Sequence, residues 1–381
     1  MRLISKLPDV GTTIFTTMSA LAARHDAINL SQGFPDFDAP EALREAMARH
    51  VRDGHNQYAP MAGVMALREQ IAAQLQLHRD VSCHPDTEIT VVPGATEGLY
   101  CAITACVHPG DEVILLDPSY DSYAPAIALA GGSAVRVPLS LPDFAPDWSA
   151  IEQAVTSRTR LIIINSPHNP SGSTLGYGDL LQLQDIAQRH DLLVISDEVY
   201  EHLVFDGEQH QSVLQLPGLR ERSFAMFSFG KTFSVTGWKT GYCVAPPALT
   251  QELRKVHQFV SFVAVTPVQL AVADFMREDP SFPATLAAFY QRKRDIFCTA
   301  LKTSRFVAKP SAGTYFQLLD YSQVSEDPDT QVAKDWTASF GVASIPVSVF
   351  YHQPPELRFL RFCFAKRDEV LLEAAEILCK I

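Results

Sequence analysis

Ser196-Asp197-Glu198-Val199-Tyr200 and Ser228-Phe229-Gly230-Lys231-Thr232-Phe233-Ser234, the second continued by Gly237-Trp238-Lys239-Thr240-Gly241, decide how the chain is read. Each follows an apolar run, Leu192–Ile195 and Phe224–Phe227 respectively. Short apolar runs bounded by turn residues read as buried strands. An acid and a lysine therefore fall just past the C-terminal ends of strands, where open α/β sheets bind ligands. Gly230-Lys231-Thr232 has the tail of a phosphate-cradling P-loop, but that motif needs an earlier glycine where this chain has Ala225. Two readings of Lys231 remain. It is an exposed loop lysine, or it forms an imine with an aldehyde cofactor whose ring nitrogen rests on Asp197.

The surrounding grammar supports a parallel sheet. Ile89–Val92 reads as a strand, Pro93-Gly94-Ala95-Thr96 as a turn, Glu97–Val107 as an apolar helix and Glu112–Leu116 as the next strand. Leu161–Ile164, a helix over Leu180–Arg189 and Leu192–Ile195 repeat the pattern, and Tyr242–Ala245 adds a further strand. Strand, turn, helix, strand is the signature of α/β layers. Upstream, Ile14–Ala23 has helical spacing. Asp38 reads as an N-cap with Pro40 in the first turn of a helix whose apolar face is Leu43, Met47 and Val51 and whose end is Gly54. Leu67, Ile71 and Leu75 stripe another helix.

After about residue 250 the texture becomes helical, over Leu253–Phe262, Val268–Met276 and Pro283–Leu301. Gly313–Leu319, Ala343–Pro346 and Arg358–Phe364 then read as strands, closed by a helix over Glu369–Leu378. The expected fold is α/β. A large domain over 34–280 carries a mostly parallel, seven-stranded sheet flanked by helices. A smaller α+β domain is built from both chain ends, 1–33 and 281–381, since termini often lie close together.

Composition excludes several classes. The chain has 381 residues, a size for about two domains, and 47% hydrophobic content. A net charge of −12 argues against nucleic-acid or anionic-membrane partners, so any anion site is a local cluster of basic groups. The cysteines, at 83, 101, 106, 243, 298, 363 and 379, are odd in number and lack a Cys-x-x-Cys pair. They read as reduced thiols of a cytoplasmic protein. Met1–Gly11 lacks the apolar core of a signal peptide, and no stretch is long and apolar enough to span a bilayer. The histidines form no His-Glu-x-x-His pattern, and no metal is expected.

Pyridoxal 5'-phosphate presents an aldehyde, a ring nitrogen, a ring oxygen, a phosphate and two ring faces, and each has a candidate partner. Lys231 suits the aldehyde and Asp197 the ring nitrogen. Tyr200 and Asn169 are donors for the ring oxygen. Ser228, Lys239 and the backbone of Ala95 and Thr96, which opens a helix, suit the phosphate. Tyr120 suits a ring face. Tyr58 and Tyr120 are equally readable as interface or core aromatics, Arg361 as a paired structural arginine, Ser228 as a turn cap and Gly33 as a simple turn residue.

Taken in order, Asn29-Leu30-Ser31-Gln32-Gly33-Phe34-Pro35-Asp36-Phe37, Asn56-Gln57-Tyr58, Asn165-Ser166-Pro167-His168-Asn169-Pro170, Asp197-Glu198-Val199-Tyr200, Ser228-Phe229-Gly230-Lys231-Thr232, Gly237-Trp238-Lys239 and Arg361-Phe362-Cys363-Phe364 resemble the fold-type I pyridoxal-phosphate aminotransferases of class I/II. The likeness spans nearly the whole chain. It is strongest to the branch holding kynurenine/glutamine aminotransferases and bacterial methionine aminotransferase, which also has lysine where Lys239 stands. The resemblance implies an imine on Lys231, which then shuttles a proton. It implies a bidentate clamp of Arg361 on the substrate carboxylate, helped by Asn169 and the backbone of Gly33. It also implies a homodimer in which Tyr58 reaches the partner's cofactor phosphate, and Phe262 stands where the branch has a partner-facing aromatic.

No residue stands out as a second cation for a distal carboxylate, while Phe15, Phe34, Tyr58 and Phe262 read as an apolar wall. The expected reaction moves the amino group of methionine or an aromatic amino acid to a 2-oxo acid. β-Elimination from cysteine conjugates uses the same cofactor and is the alternative enzyme reading. A non-catalytic cofactor-binding regulator is the third, but no helix-turn-helix or basic stretch supports it.

Overall fold

Side-chain alternation along the strands sorts the interior into separate cores. The computed structural model describes residues 4–381, so the first three residues of the expected N-terminal arm lie outside the described residues. Helix α1 (Ile14–Arg24), strand β1 (Ile28–Asn29), α2 (Glu41–Arg52) and α3 (Met65–Arg79) come first. They precede β2 (Ile89–Val92), α4 (Ala95–Cys106), β3 (Glu112–Asp117), α5 (Tyr123–Ala130), β4 (Ser133–Pro138), α6 (Trp148–Gln153), β5 (Thr159–Asn165) and α7 (Tyr177–Arg189). Next are β6 (Leu193–Asp197), α8 (Pro217–Arg220), β7 (Ser223–Ser228), α9 (Phe229–Thr232) and β8 (Gly241–Val244). Helices α10 (Pro247–Val260), α11 (Thr266–Glu278) and α12 (Phe282–Ala300) lead to β9 (Phe316–Asp320) and α13 (Asp329–Phe340). The chain closes with β10 (Val342–Ala343), β11 (Ile345–Pro346), β12 (Phe359–Cys363) and α14 (Asp368–Leu378).

The main sheet has seven strands in the order β2-β8-β7-β6-β5-β3-β4. Strand β8 runs antiparallel to both neighbours, β2 and β7, and the other pairings are parallel. Two antiparallel steps leave β2 pointing the same way as β7. The C-terminal ends of β2, β3, β5, β6 and β7 and the start of β8 therefore share one edge of the sheet. On one face, Ile114, Ile162, Ile164, Val194 and Phe227 pack against α2, α3, α7 and α11. On the other, Val113, Leu115, Leu161, Ile163, Ile195 and Met226 pack against α4, α5 and α10. A third core gathers α1, α12, α13 and α14 around the antiparallel β11-β12-β9 sheet.

The strands expected from their apolar runs form. Strand β4 is not among those expected, and its sequence explains why. It is an edge strand, Ser133-Ala134-Val135-Arg136-Val137-Pro138, whose only well-buried side chain is Val137, so it has no apolar run. The expected strand Ala343–Pro346 is two short strands, since β10 pairs with β1 while β11 pairs with β12. Pro40, not Asp38, caps α2, and Asp38 instead faces Arg44 at 3.5 Å. The buried face of α2 is Leu43 and Ala46, with Val51 exposed. Helix α10 starts at Pro247, well before its apolar stripe, because proline suits the first helical turn. Strand β9 begins late because Thr314 takes a left-handed φ of 66°.

Phe227 is fully buried and stacks on Tyr242 with ring centroids 4.7 Å apart. Phe227→Ala is expected to lower unfolding free energy by about 3–5 kcal/mol. Chemical denaturation measures this, and a loss below about 1 kcal/mol would show that the sheet core tolerates the cavity.

Candidate active site

The shared sheet edge opens into one cavity of ≈ 330 Å³. This lies at the lower end of the ~300–1,000 Å³ usual for small-ligand sites. The topology brings distant residues to it. Gly94, Ala95 and Thr96 follow β2, Tyr120 follows β3, and Asn165 ends β5 just ahead of Asn169. Asp197 ends β6 beside Asn165 in register, with Tyr200 just beyond. Ser228 ends β7, Lys231 lies in the turn of helix that follows, and Lys239 precedes β8. Gly33 and Arg361, the latter from β12, close the far side.

Asp197 is 4% exposed, and burial pushes its carboxyl up to about 6, while the Tyr123 hydroxyl and the Val199 N–H pull the other way. Tyr123 Oη donates to Asp197 Oδ2 at 2.6 Å. Lys231 faces the same space. Burial pushes its amine down to about 8, and the cations of Lys239 and Arg361 act in the same direction. No ion pair joins Lys231 to Asp197 among the described residues. Lys231 Nζ instead donates to Tyr315 Oη at 2.6 Å and to the Gly33 carbonyl at 3.3 Å.

Gly94 has a φ of +82°, and a Cβ there would lie 3.2 Å from Lys239 Nζ. Glycine thus leaves the ammonium against the first turn of α4. The amides of Ala95 and Thr96 in that turn have no acceptor within the helix, as at any helix N-terminus. Ser228 lines the same end.

Arg361 is 1% exposed, and burial pushes its guanidinium down to about 10. Nη1 donates to Asn169 Oδ1 at 2.6 Å and Nη2 to the Ser31 carbonyl at 3.1 Å, while Nε is buried with no partner. The rings of Phe316, Phe15 and Phe350 surround it, their centroids 3.9, 5.3 and 5.3 Å from Cζ. A hydrogen-bonded rail fixes its position. Asn165 Nδ2 donates to the Asp197 carbonyl at 2.8 Å, and Asn169 N–H donates to Asn165 Oδ1 at 2.8 Å. His168 braces the same loop through Pro118 O at 3.0 Å, and burial lowers it to about 4, so it is neutral. A Cβ on Gly33 would lie 2.7 Å from Phe316 Cζ, so any side chain there would displace the Phe316 ring.

Tyr58 is the exception. It lies outside this cavity, 83% exposed, in edge-to-face contact with Phe262 at 5.4 Å. Tyr123, Tyr315, Asn165 and Phe316 belong to the site without being marked by the sequence reading. Their signal is spatial, except that Tyr123 follows Tyr120 by three residues and Asn165 opens the quoted motif that holds Asn169.

An open α/β sheet with a buried lysine and a buried acid at its C-terminal edge, and an arginine opposite, defines a class of site made for amine and carboxylate chemistry. The profile of the family "Aminotransferase class I and II" matches residues 25–378. The chain is 53% identical to methionine aminotransferase of Escherichia coli over 98% of its length and 97% of that protein's. It is 35% identical to kynurenine–oxoglutarate transaminase of Dictyostelium discoideum over 97% and 94%. The crystal structure of YbdL from Escherichia coli, reported with a methionine aminotransferase function, superposes with a TM-score of 0.98 at 52% identity, covering all of both chains. The chain belongs to the class I and II aminotransferase family, whose enzymes are transaminases that use pyridoxal phosphate.

The raised acid at Asp197 makes a pH-dependent prediction for cofactor-free protein. Its ionisation is disfavoured in the folded state, so folding stability falls as pH rises from 3.8 towards about 6. The shift of roughly two units corresponds to about 3 kcal/mol. Asp197→Asn removes the ionisation. The melting temperature of the variant relative to wild type should therefore climb across that window and level off above it. A difference that stays flat with pH would contradict the raised acid.

Proposed function

We propose that the protein is a pyridoxal 5'-phosphate-dependent transaminase that moves the amino group of methionine or an aromatic L-amino acid to a 2-oxo acid. The observation that carries this reading is a lysine amine and a carboxylate buried in one cavity, at about 8 and about 6, with no ion pair between them. Both bond only to neutral groups, Lys231 to Tyr315 and the Gly33 carbonyl and Asp197 to Tyr123 and the Val199 N–H, so neither has a counter-charge. An aromatic aldehyde with a basic ring nitrogen would condense with the amine and pair with the carboxylate. The cofactor, when bound, supplies a carbonyl that condenses with amines and a ring that withdraws electrons from the substrate's Cα.

The side chains divide the remaining work. Lys231 provides the amine for attachment and, once free, takes and returns the proton at Cα, for which an amine near neutrality is well matched. Asp197, held by Tyr123, keeps the ring nitrogen protonated. Asn169 and Tyr200 serve the ring oxygen, and Tyr120 covers a ring face. Ser228, Lys239 and the amides of Ala95 and Thr96 hold the phosphate by charge and by the helix N-terminus. Arg361, with a buried Nε lacking a partner, clamps the substrate carboxylate alongside Asn169 and the Gly33 backbone.

The cations lining the cavity are Lys231, Lys239 and Arg361, all assigned above, so none remains for a distal carboxylate. Of the apolar wall expected from the sequence only Phe15 lines the cavity, where Leu99, Val199 and Phe316 join it; Phe34, Tyr58 and Phe262 are exposed side chains outside it. The methionine aminotransferase relative supports the same preference. The same reading makes the protein a homodimer with shared sites, in which Tyr58 reaches the partner's cofactor phosphate. The exposed Tyr58, Phe259, Phe262 and Val265 form an apolar surface suited to that contact. It also makes the protein cytoplasmic, in keeping with free thiols at all seven cysteines. No helix among the described residues is long and apolar enough to cross a membrane.

Steady-state assays with a 2-oxo-acid acceptor should give methionine and phenylalanine kcat/KM values at least about 100-fold above aspartate, since aspartate forfeits apolar contacts worth about 10- to 200-fold and also brings an unpaired charge into the pocket. Aspartate as the better donor would overturn the substrate assignment. Arg361→Lys should lower kcat/KM by about 30- to 100-fold through loss of the bidentate fork. An unchanged value would remove Arg361 from the carboxylate site.

A further inference from the structure

Tyr315 sits 84 residues from Lys231 in sequence, just before β9, and is fully buried. Its hydroxyl donates to the Gly33 carbonyl and accepts from Lys231 Nζ at 2.6 Å. The O–H is committed to the Gly33 carbonyl, which leaves an oxygen lone pair for the lysine, and burial keeps the phenol protonated. A neutral amine has two N–H bonds and one lone pair. With one N–H on Tyr315 Oη and the other on the Gly33 carbonyl, 3.3 Å away, both hydrogens are engaged and the lone pair is the only free position on the nitrogen.

We propose that Tyr315 is a positioning residue that docks the free amine of Lys231, fixing its lone pair for proton transfer at the substrate's Cα. The inference rests on the transaminase reading above and adds to it a residue that the sequence motifs do not contain. Edge-to-face packing locks the phenol ring, with Tyr200 at 5.1 Å and Phe316 at 4.9 Å between centroids, so the acceptor is preorganised. The other charged or titratable groups facing Lys231 are Asp197 and Tyr200 from the end of β6, Lys239 ahead of β8, and Arg361 and Cys363 on β12. None of these bonds its nitrogen among the described residues.

Tyr315→Phe keeps the ring and removes the acceptor. Tyr290→Phe is the control, since Tyr290 is equally buried, packs against Tyr315 at 5.9 Å and bonds only Ser234. The first readout is the pH dependence of reductive methylation of Lys231 in cofactor-free protein with formaldehyde and dimethylamine–borane as the hydride donor, followed by peptide mass spectrometry. The ammonium of wild type has an acceptor that the variant lacks, so the midpoint should move down by about one pH unit in Tyr315→Phe and stay put in Tyr290→Phe. The second is steady-state kinetics of the loaded enzyme, where kcat should fall about tenfold while KM for the amino acid changes less than about twofold. Coincident midpoints and equal kcat in wild type and Tyr315→Phe would overturn the docking role while leaving the transaminase reading intact. Wild type that neither binds the cofactor nor transaminates would overturn both.

Discussion

Asp197 and Lys231 are both withdrawn from water into one cavity, and neither neutralises the other. Desolvation acts in opposite directions on the two, raising the acid and lowering the base, because in each case it disfavours the charged form. The sheet makes this arrangement possible. β5, β6 and β7 run parallel and end together, with Asn165 in register beside Asp197, so acid and amine arrive from strand ends anchored by cores on both faces of the sheet. The antiparallel β8 brings Lys239 to the same edge from the opposite chain direction. A rigid edge, not a flexible loop, thus sets the spacing on which the chemistry depends.

The two ends of the cavity differ in how they treat charge. Lys239 and the opening turn of α4 form a polar end built from a flexible ammonium and fixed amides. Arg361 forms the other end, ringed by phenylalanines and steadied by Asn169. A planar guanidinium among aromatic faces is weakly hydrated and geometrically fixed, which suits recognition of a small carboxylate. Within a chain of net charge −12 these cations are concentrated in the lining of one cavity.

Much of this architecture is legible in the amino-acid sequence, for physical reasons. Buried parallel strands are continuous apolar runs, so β5, β6 and β7 announce themselves and the functional residues follow at their ends. Strand β4 does not, since an edge strand with one face in solvent has no such run. The α2 cap is ambiguous in sequence because Asp38 and Pro40 both fit a helix start, and an ion pair with Arg44 engages the aspartate instead. Within the site, residues tied to strand ends are readable. Tyr315 and Phe316 are not, since they reach Lys231 and Arg361 only after the third core folds against the sheet edge. No sequence spacing encodes that approach.

On the transaminase proposal, the amine of Lys231 is the point of covalent attachment. Borohydride reduction of the protein loaded with pyridoxal phosphate, followed by peptide mapping, tests it most directly. One phosphopyridoxyl group per chain is expected, on the peptide carrying Lys231. A label on another lysine, or no label in protein that retains the cofactor, would contradict it.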